Sequence, residues 1–212
     1  MLYLFTLALL SQVGGIGGYT VGACLAKNTP VNTEVSKLGI SRFDVLVAHG
    51  GSGYSISNNL LLGGTGFGAG FKGENDTLTV EYGIGGGYFE FGYTYSLTNS
   101  VFPFVMMGVG GFSESAIIRK KIQNITWDSV WTNPLREVEI SRGSFSLAPS
   151  AGILVFPIKS FVGVLIKFTY NTILTKEWKV REEFKILNSP SSPLGYLTFS
   201  ASIVFGEMTR RE

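Results

Sequence analysis

The feature that most restricts this chain is an alternation of period two whose second face is polar but almost uncharged. Leu197, Phe199, Ala201, Ile203 and Phe205 alternate with Thr198, Ser200, Ser202, Val204 and Gly206. Val162, Val164, Ile166, Phe168 and Tyr170 alternate with Gly163, Leu165, Lys167, Thr169 and Asn171, and Phe145, Leu147, Ala151, Ile153 and Val155 with Ser144, Ser146, Ser150 and Gly152. Successive side chains of a strand point to opposite faces, so these are two-faced strands. A soluble sandwich or barrel would bury the apolar face and give Lys, Glu and Asp to water. Here the other face is Ser, Thr, Gly and Asn, with isolated charges at Lys167, Glu81 and Glu90. That composition suits a narrow polar interior, which sends the bulky face outward into lipid. Only 15% of the chain is charged, against roughly 25% in soluble proteins.

The alternation predicts strands over 15–26, 43–57, 60–73, 78–96, 101–117, 143–156, 160–172 and 195–206. Asn58-Asn59, Leu97 to Ser100 and Pro157 to Lys159 are tight joints, whereas 27–42, 118–142 and 173–194 are long and polar. Short turns alternating with long loops are the signature of outer-membrane barrels, whose termini lie with the short turns on the periplasmic side. The expected fold is therefore all-β: a single antiparallel up-and-down transmembrane barrel of about eight strands, in the bacterial outer membrane. The joint from Gly73 to Thr77 breaks the rule by being short. In 78–96 the apolar positions change parity across Gly85-Gly86-Gly87, and in 43–57 across Gly50-Gly51. A glycine-centred bulge at each site would explain the change. A hairpin at Gly85–Gly87 is the alternative.

Chemistry-bearing motifs are few. Cys24 and His49 are the single cysteine and histidine, so no disulfide framework, metal site or cofactor is expected. His49 could act as a base with Asp44 or a serine, but nothing in the sequence converges on it, and no catalysis is inferred. Gly64-Thr65-Gly66-Phe67-Gly68-Ala69 spells a dinucleotide fingerprint without the helix that would hold the pyrophosphate; its glycines are read as inward positions where the barrel narrows. Lys167, Glu81 and Glu90 are candidate interior charges, which must be paired to be tolerated. Interior ion pairs that stiffen the barrel are one reading and a small polar conduit is another. In the long loops Trp127, Trp131 and Trp178 are candidate ligand or partner contacts; alternatively they belong to an interfacial aromatic belt. The segment Lys176 to Glu183 reads as a solvated loop or extended hairpin. Asn75-Asp76-Thr77 and Asn124-Ile125-Thr126 match glycosylation sequons that a bacterial setting leaves idle.

The run Phe43 to Gly51, the tract Leu61 to Gly68, Tyr82 to Phe91 and Met107 to Gly111 follow one another in an order that resembles a widespread, functionally uncharacterised group of glycine-rich bacterial outer-membrane barrels. The resemblance covers roughly residues 14–206. It implies a barrel and carries over no catalytic or binding residue. One departure is that outer-membrane barrels commonly end in an aromatic residue, whereas Phe205 is followed by Gly206 to Glu212.

Residues 1–13 are expected to be a signal-peptide remnant and 14–212 the barrel domain. The apolar tract Leu2 to Leu10 is too short to span a bilayer as a helix. Val21 to Cys24 loosely matches a lipoprotein processing box, and the same residues also read as strand. The expected role is a structural or surface-interaction barrel, and the alternative is a soluble or periplasmic lipocalin-like barrel that binds a small apolar ligand. The expected partners are outer-membrane lipid and the barrel-assembly machinery, the extracellular or periplasmic partner is left open, and a net charge of +2 implies no nucleic acid.

Overall fold

A computed structural model describes residues 11–121, 137–157, 161–174, 177–180, 183–189 and 195–211. Eight long strands form the wall: β1 (Ser11–Leu25), β2 (Val45–Ser57), β3 (Leu60–Glu74), β4 (Leu78–Thr94), β5 (Val101–Lys120), β6 (Glu137–Val155), β7 (Val162–Thr172) and β10 (Gly195–Arg211). Each pairs antiparallel with its neighbour, and β10 closes the ring on β1 from Ser11↔Arg211 to Cys24↔Thr198. Closure of the eight long strands pairs each with two neighbours, which lets a strand structure sit in lipid with its backbone satisfied. No helix among the described residues is long and apolar enough to cross a membrane.

One end of the barrel carries the tight joints. Asn58 and Asn59 have φ of 50° and 68°, the left-handed pair that a two-residue hairpin turn requires and that Asn tolerates. The other end carries a short helix, α1 (Pro30–Lys37), and a two-rung hairpin, β8 (Lys179–Val180) and β9 (Phe184–Lys185), which pairs onto β6. The sequence reading left 27–42 as a polar loop. Its helix starts because the Thr29 hydroxyl accepts from the Asn32 N–H at 3.1 Å and Pro30 occupies the first turn, where no N–H is needed. The unexpectedly short β3–β4 joint is tied under this helix: Asn75 Nδ2 donates to the Leu38 carbonyl at 2.7 Å.

The bulges expected in β2 and β4 are absent. The β3–β4 register is unbroken from Leu60↔Tyr93 to Glu74↔Thr79, and β2–β3 from Ala48↔Ala69 to Ser57↔Leu60. Nor do Gly85–Gly87 form a hairpin. Instead the apolar residues change sides of the wall. Val80, Tyr82 and Ile84 face inward, and Phe89, Phe91 and Tyr93 face outward, with Gly83, Gly85 and Gly87 on the outer positions between. Gly64, Gly66 and Gly68 likewise lie on the outer face, opposite to the reading made from the sequence, with Thr65 and Phe67 on the inner one.

The β6–β7 ladder is short, running from Ser150↔Thr169 to Val155↔Val164. It lapses at Pro149, which has no N–H. Above the lapse side chains replace rungs: Thr172 Oγ1 accepts from Leu147 N–H and donates to Leu147 O, each at 2.8 Å, and Ser144 Oγ accepts from Leu174 N–H at 2.9 Å.

Candidate functional site

The barrel interior is layered along its axis. Nearest the tight turns lies an apolar plug that includes Ile16, Ile56, Phe102, Phe104, Met106 and Leu154. These side chains come from strands on opposite sides and meet in the middle, as expected of a barrel whose eight strands leave room only for side chains.

The next layer is an ion pair. Lys167 Nζ donates to both Glu90 carboxylate oxygens at 3.0 Å and to Tyr54 Oη at 3.0 Å, and Tyr54 in turn donates to Glu90 Oε2 at 2.5 Å. All three ammonium protons therefore have acceptors. The Lys167 and Glu90 side chains are 5% and 0% exposed. In so dry a site the mutual attraction only offsets desolvation, and removing one partner would cost about 3–5 kcal/mol. Beside this pair is a small space of about 30 Å³ bordered by Thr20, Thr65, Thr169 and Ser200 together with Ala48, Phe67 and Tyr88, room for no more than a water or two.

Further toward the loop end Glu114 accepts from the hydroxyls of Tyr82 and Tyr196 and from Arg142 Nε. Tyr82 and Tyr196 share a layer because both occupy inward positions on their strands. The Arg142 guanidinium lies over the Trp178 ring, 5.0 Å from its centroid, a cation–π contact. A second apolar plug surrounds this cluster and closes the barrel above it: Ile84 and Phe112 beside and below Glu114, Val80 and Ala116 of the wall nearer the loop end, Val31 and Val35 from α1, and Trp178 from the segment before β8. The interior therefore runs apolar, polar, apolar. It is neither an open conduit nor the continuous apolar pocket that a lipocalin-like ligand would need.

The structure brings Lys167 and Glu90 together, as their inward parity suggested. Glu81 is not interior. It lies on the outer wall, between Lys72 Nζ at 3.3 Å and Arg119 Nη1 at 2.8 Å, because β4 keeps its parity and position 81 alternates with the inward Val80 and Tyr82. Trp178 is buried at 2% exposure, so it is part of the plug and not an exposed contact. Trp127 and Trp131 lie outside the described residues. His49 faces outward, and its Nδ1 shares a 2.7 Å hydrogen bond with Tyr19 Oη; Asp44 makes no described contact with it. The sequence reading missed Tyr54, Glu114, Arg142 and Tyr196. Glu114 stands in phase with Phe104 and Phe112, so an inward assignment of that face would have found it; Arg142 is in phase with the inward Ser144 and Ser146 but lies just outside the expected 143–156 strand, which in fact begins at Glu137.

On the cap, Lys185 donates to Glu177 at 2.5 Å and holds its carboxyl below the usual carboxylate range. Phe184 of the hairpin and Leu187 just beyond it are exposed.

No family model matches the sequence, and no curated protein matches it. Among solved structures the chain is similar to Ail, the attachment invasion locus protein of Yersinia pestis, with 12% identity over 92% of this chain and 99% of that one, at a TM-score of 0.50. It also matches Neisserial surface protein A (11% identity, 91% and 96% covered, TM-score 0.45). A third match is the N-terminal β-barrel domain of Pseudomonas aeruginosa OprF (9% identity, 91% and 97% covered, TM-score 0.46). The likeness to Ail is one of fold: the eight-stranded antiparallel barrel of the outer-membrane type.

Proposed function

We propose that this chain is a bacterial outer-membrane barrel that neither conducts nor catalyses, and that holds a capped end outside the cell as an interaction surface. The observation that carries this reading is the sealed interior: two apolar plugs enclose a polar middle whose two carboxylates are each paired with a buried cation. A wall stiffened in this way suits an anchor. The outward rows Val162, Val164, Phe168 and Tyr170 on β7, and Leu197, Phe199, Ile203 and Phe205 on β10, support a lipid-facing position. Lipid and the barrel-assembly machinery are the partners this placement implies. We assign contact with an extracellular partner to the loop end, including the 121–136 connection that carries Trp127 and Trp131, and the exposed Phe184 and Leu187.

Fractionation of the native host tests the location, with heat-modifiability on a gel as readout. Recovery with the outer membrane and a compact unboiled band is expected, and a soluble periplasmic protein without that band would end the reading. Planar-bilayer recording tests the seal: no unitary conductance is expected, and steady channel openings would show that the plugs do not close the barrel.

A further inference from the structure

Between α1 and the barrel rim lies a cavity of about 200 Å³, distinct from the polar layers below it. Val31 and Val35 of α1 form its roof. Val80, Ala116 and Ile140 of the wall form one side, and Trp178 forms another. The surface these residues present to it is entirely apolar. It is partly open, and Glu34 and Ser189 are among its lining residues.

Roof and side are each fixed by bonds that do not involve the cavity. The helix is held by its Thr29 cap and by Asn32, whose Oδ1 accepts from the Phe43 N–H at 3.0 Å, while its Nδ2 donates to the Lys27 carbonyl at 3.2 Å. The Trp178 ring is held by the Arg142 guanidinium over its face. The cavity is therefore preformed, and collapse would break these bonds. Water gains little there, because a buried water needs two to four polar partners, whereas an apolar cavity of about 150 Å³ takes up benzene. Position 116 sets the volume: any larger residue on this inward site of β5 would project into the space.

We propose that this cavity is a binding site for a small, uncharged, apolar molecule of the size of one substituted aromatic ring, entering from the outside. The size follows from the volume and the neutrality from the lining. An anionic group of the same size would lose its hydration against Val, Ile and Ala, and Glu34 among the lining residues would repel it.

Trp178 is the reporter. The full chain is refolded in lipid nanodiscs with Trp127→Phe and Trp131→Phe, leaving Trp178 as the one tryptophan, excited selectively over tyrosine, and titrated with iodobenzene, which quenches on contact. Saturable quenching is expected, displaced by benzene and not by benzoate at the same concentration. Ala116→Leu, which fills the space, should weaken the saturable component by about tenfold or more. Should Ala116→Leu not give the compact unboiled band, Ile118→Phe at the cavity margin takes its place. Quenching that rises linearly and equally in both proteins would mean bilayer partition alone and overturn the proposal. Competition by benzoate as effective as by benzene would overturn the assigned chemistry. Absence of quenching would show that the protein's own chain fills the space, and would overturn it as well.

Discussion

The wall made by β3 to β5 and the wall made by β7 and β10 are built inversely. On β3 to β5 the inner face is bulky at the loop end, with Phe67, Phe71, Tyr82, Tyr88 and Phe112, while the outer face carries Gly64, Gly66, Gly68, Gly83, Gly85, Gly87 and Gly111. On β7 and β10 much of the inner face is slight, with Gly163, Thr169, Ser200 and Ser202 beside the bulkier Leu165 and Tyr196, and the outer face carries Phe168, Phe199, Ile203 and Phe205. The interior is filled mainly from one side. A barrel needs its cross-section filled, but nothing requires every strand to contribute equally. Two long residues of the thin wall reach across to carboxylates of the thick one, Lys167 to Glu90 and Tyr196 to Glu114.

The glycines of the two faces differ accordingly. A Cβ at the inward Gly50, Gly63 or Gly110 would run into the backbone of an adjoining strand. At the outward Gly66 the nearest atom would be 3.8 Å away, and at Gly87 nothing lies within 4 Å. Strand approach therefore demands glycine at these three inner positions and not at Gly66 or Gly87.

This contrast can be broken at several depths, with stability read as the urea midpoint of the compact band. The largest loss is expected for Lys167→Met, which strands Glu90 in the interior and should cost about 3–5 kcal/mol. Adding Glu90→Gln should restore most of it, and a single variant as stable as the parent would show that the thin wall does not depend on the cross-barrel pair. Next comes bulk. Phe112→Ala on the inner face should cost about 3 kcal/mol through the cavity it leaves, whereas Phe199→Ala on the outer face should cost clearly less, since lipid follows the contour. Equal losses would mean that the walls are not inverse. The third pair compares glycines: Gly63→Ala should cost about 1–3 kcal/mol by overpacking, and Gly66→Ala should stay within about 0.5 kcal/mol. A costly Gly66→Ala would reveal a demand on the outer face that the chain's own packing does not explain.

The inverse construction also explains what could be read from the residues. On β6, β7 and β10 the bulky side is the lipid side, so alternation alone assigned the faces, the strands and the inward Lys167. On β3 and β4 the same rule failed, because Phe67, Tyr82 and Ile84 are bulky and inward. That turned a continuous strand into an expected bulge, placed Gly64 to Gly68 on the wrong face and put Glu81 inside. Period-two patterning fixes which residues share a face, but not which face is in when both sides of the wall can be apolar. Glu90 was legible as interior from the polar setting of its strand; its partner was not, since Lys167 is 77 residues away and the pairing depends on closure. Helix α1 was hidden by its shortness, with Thr29 and Pro30 its only marks.

The lapse in the β6–β7 ladder at Pro149 gives the cylinder a seam. Closed rings have no natural starting point for unravelling, yet here one joint is fastened above Ser150 by a few hydroxyls in place of backbone rungs. In deuterium the amides of Leu147 and Leu174, which end on hydroxyl oxygens, should exchange ahead of those in the long β5–β6 ladder on the other side of the same strand. A single strand would then show two lifetimes, one for each of its edges, and the order in which this ring comes undone would be written into it by one imino acid.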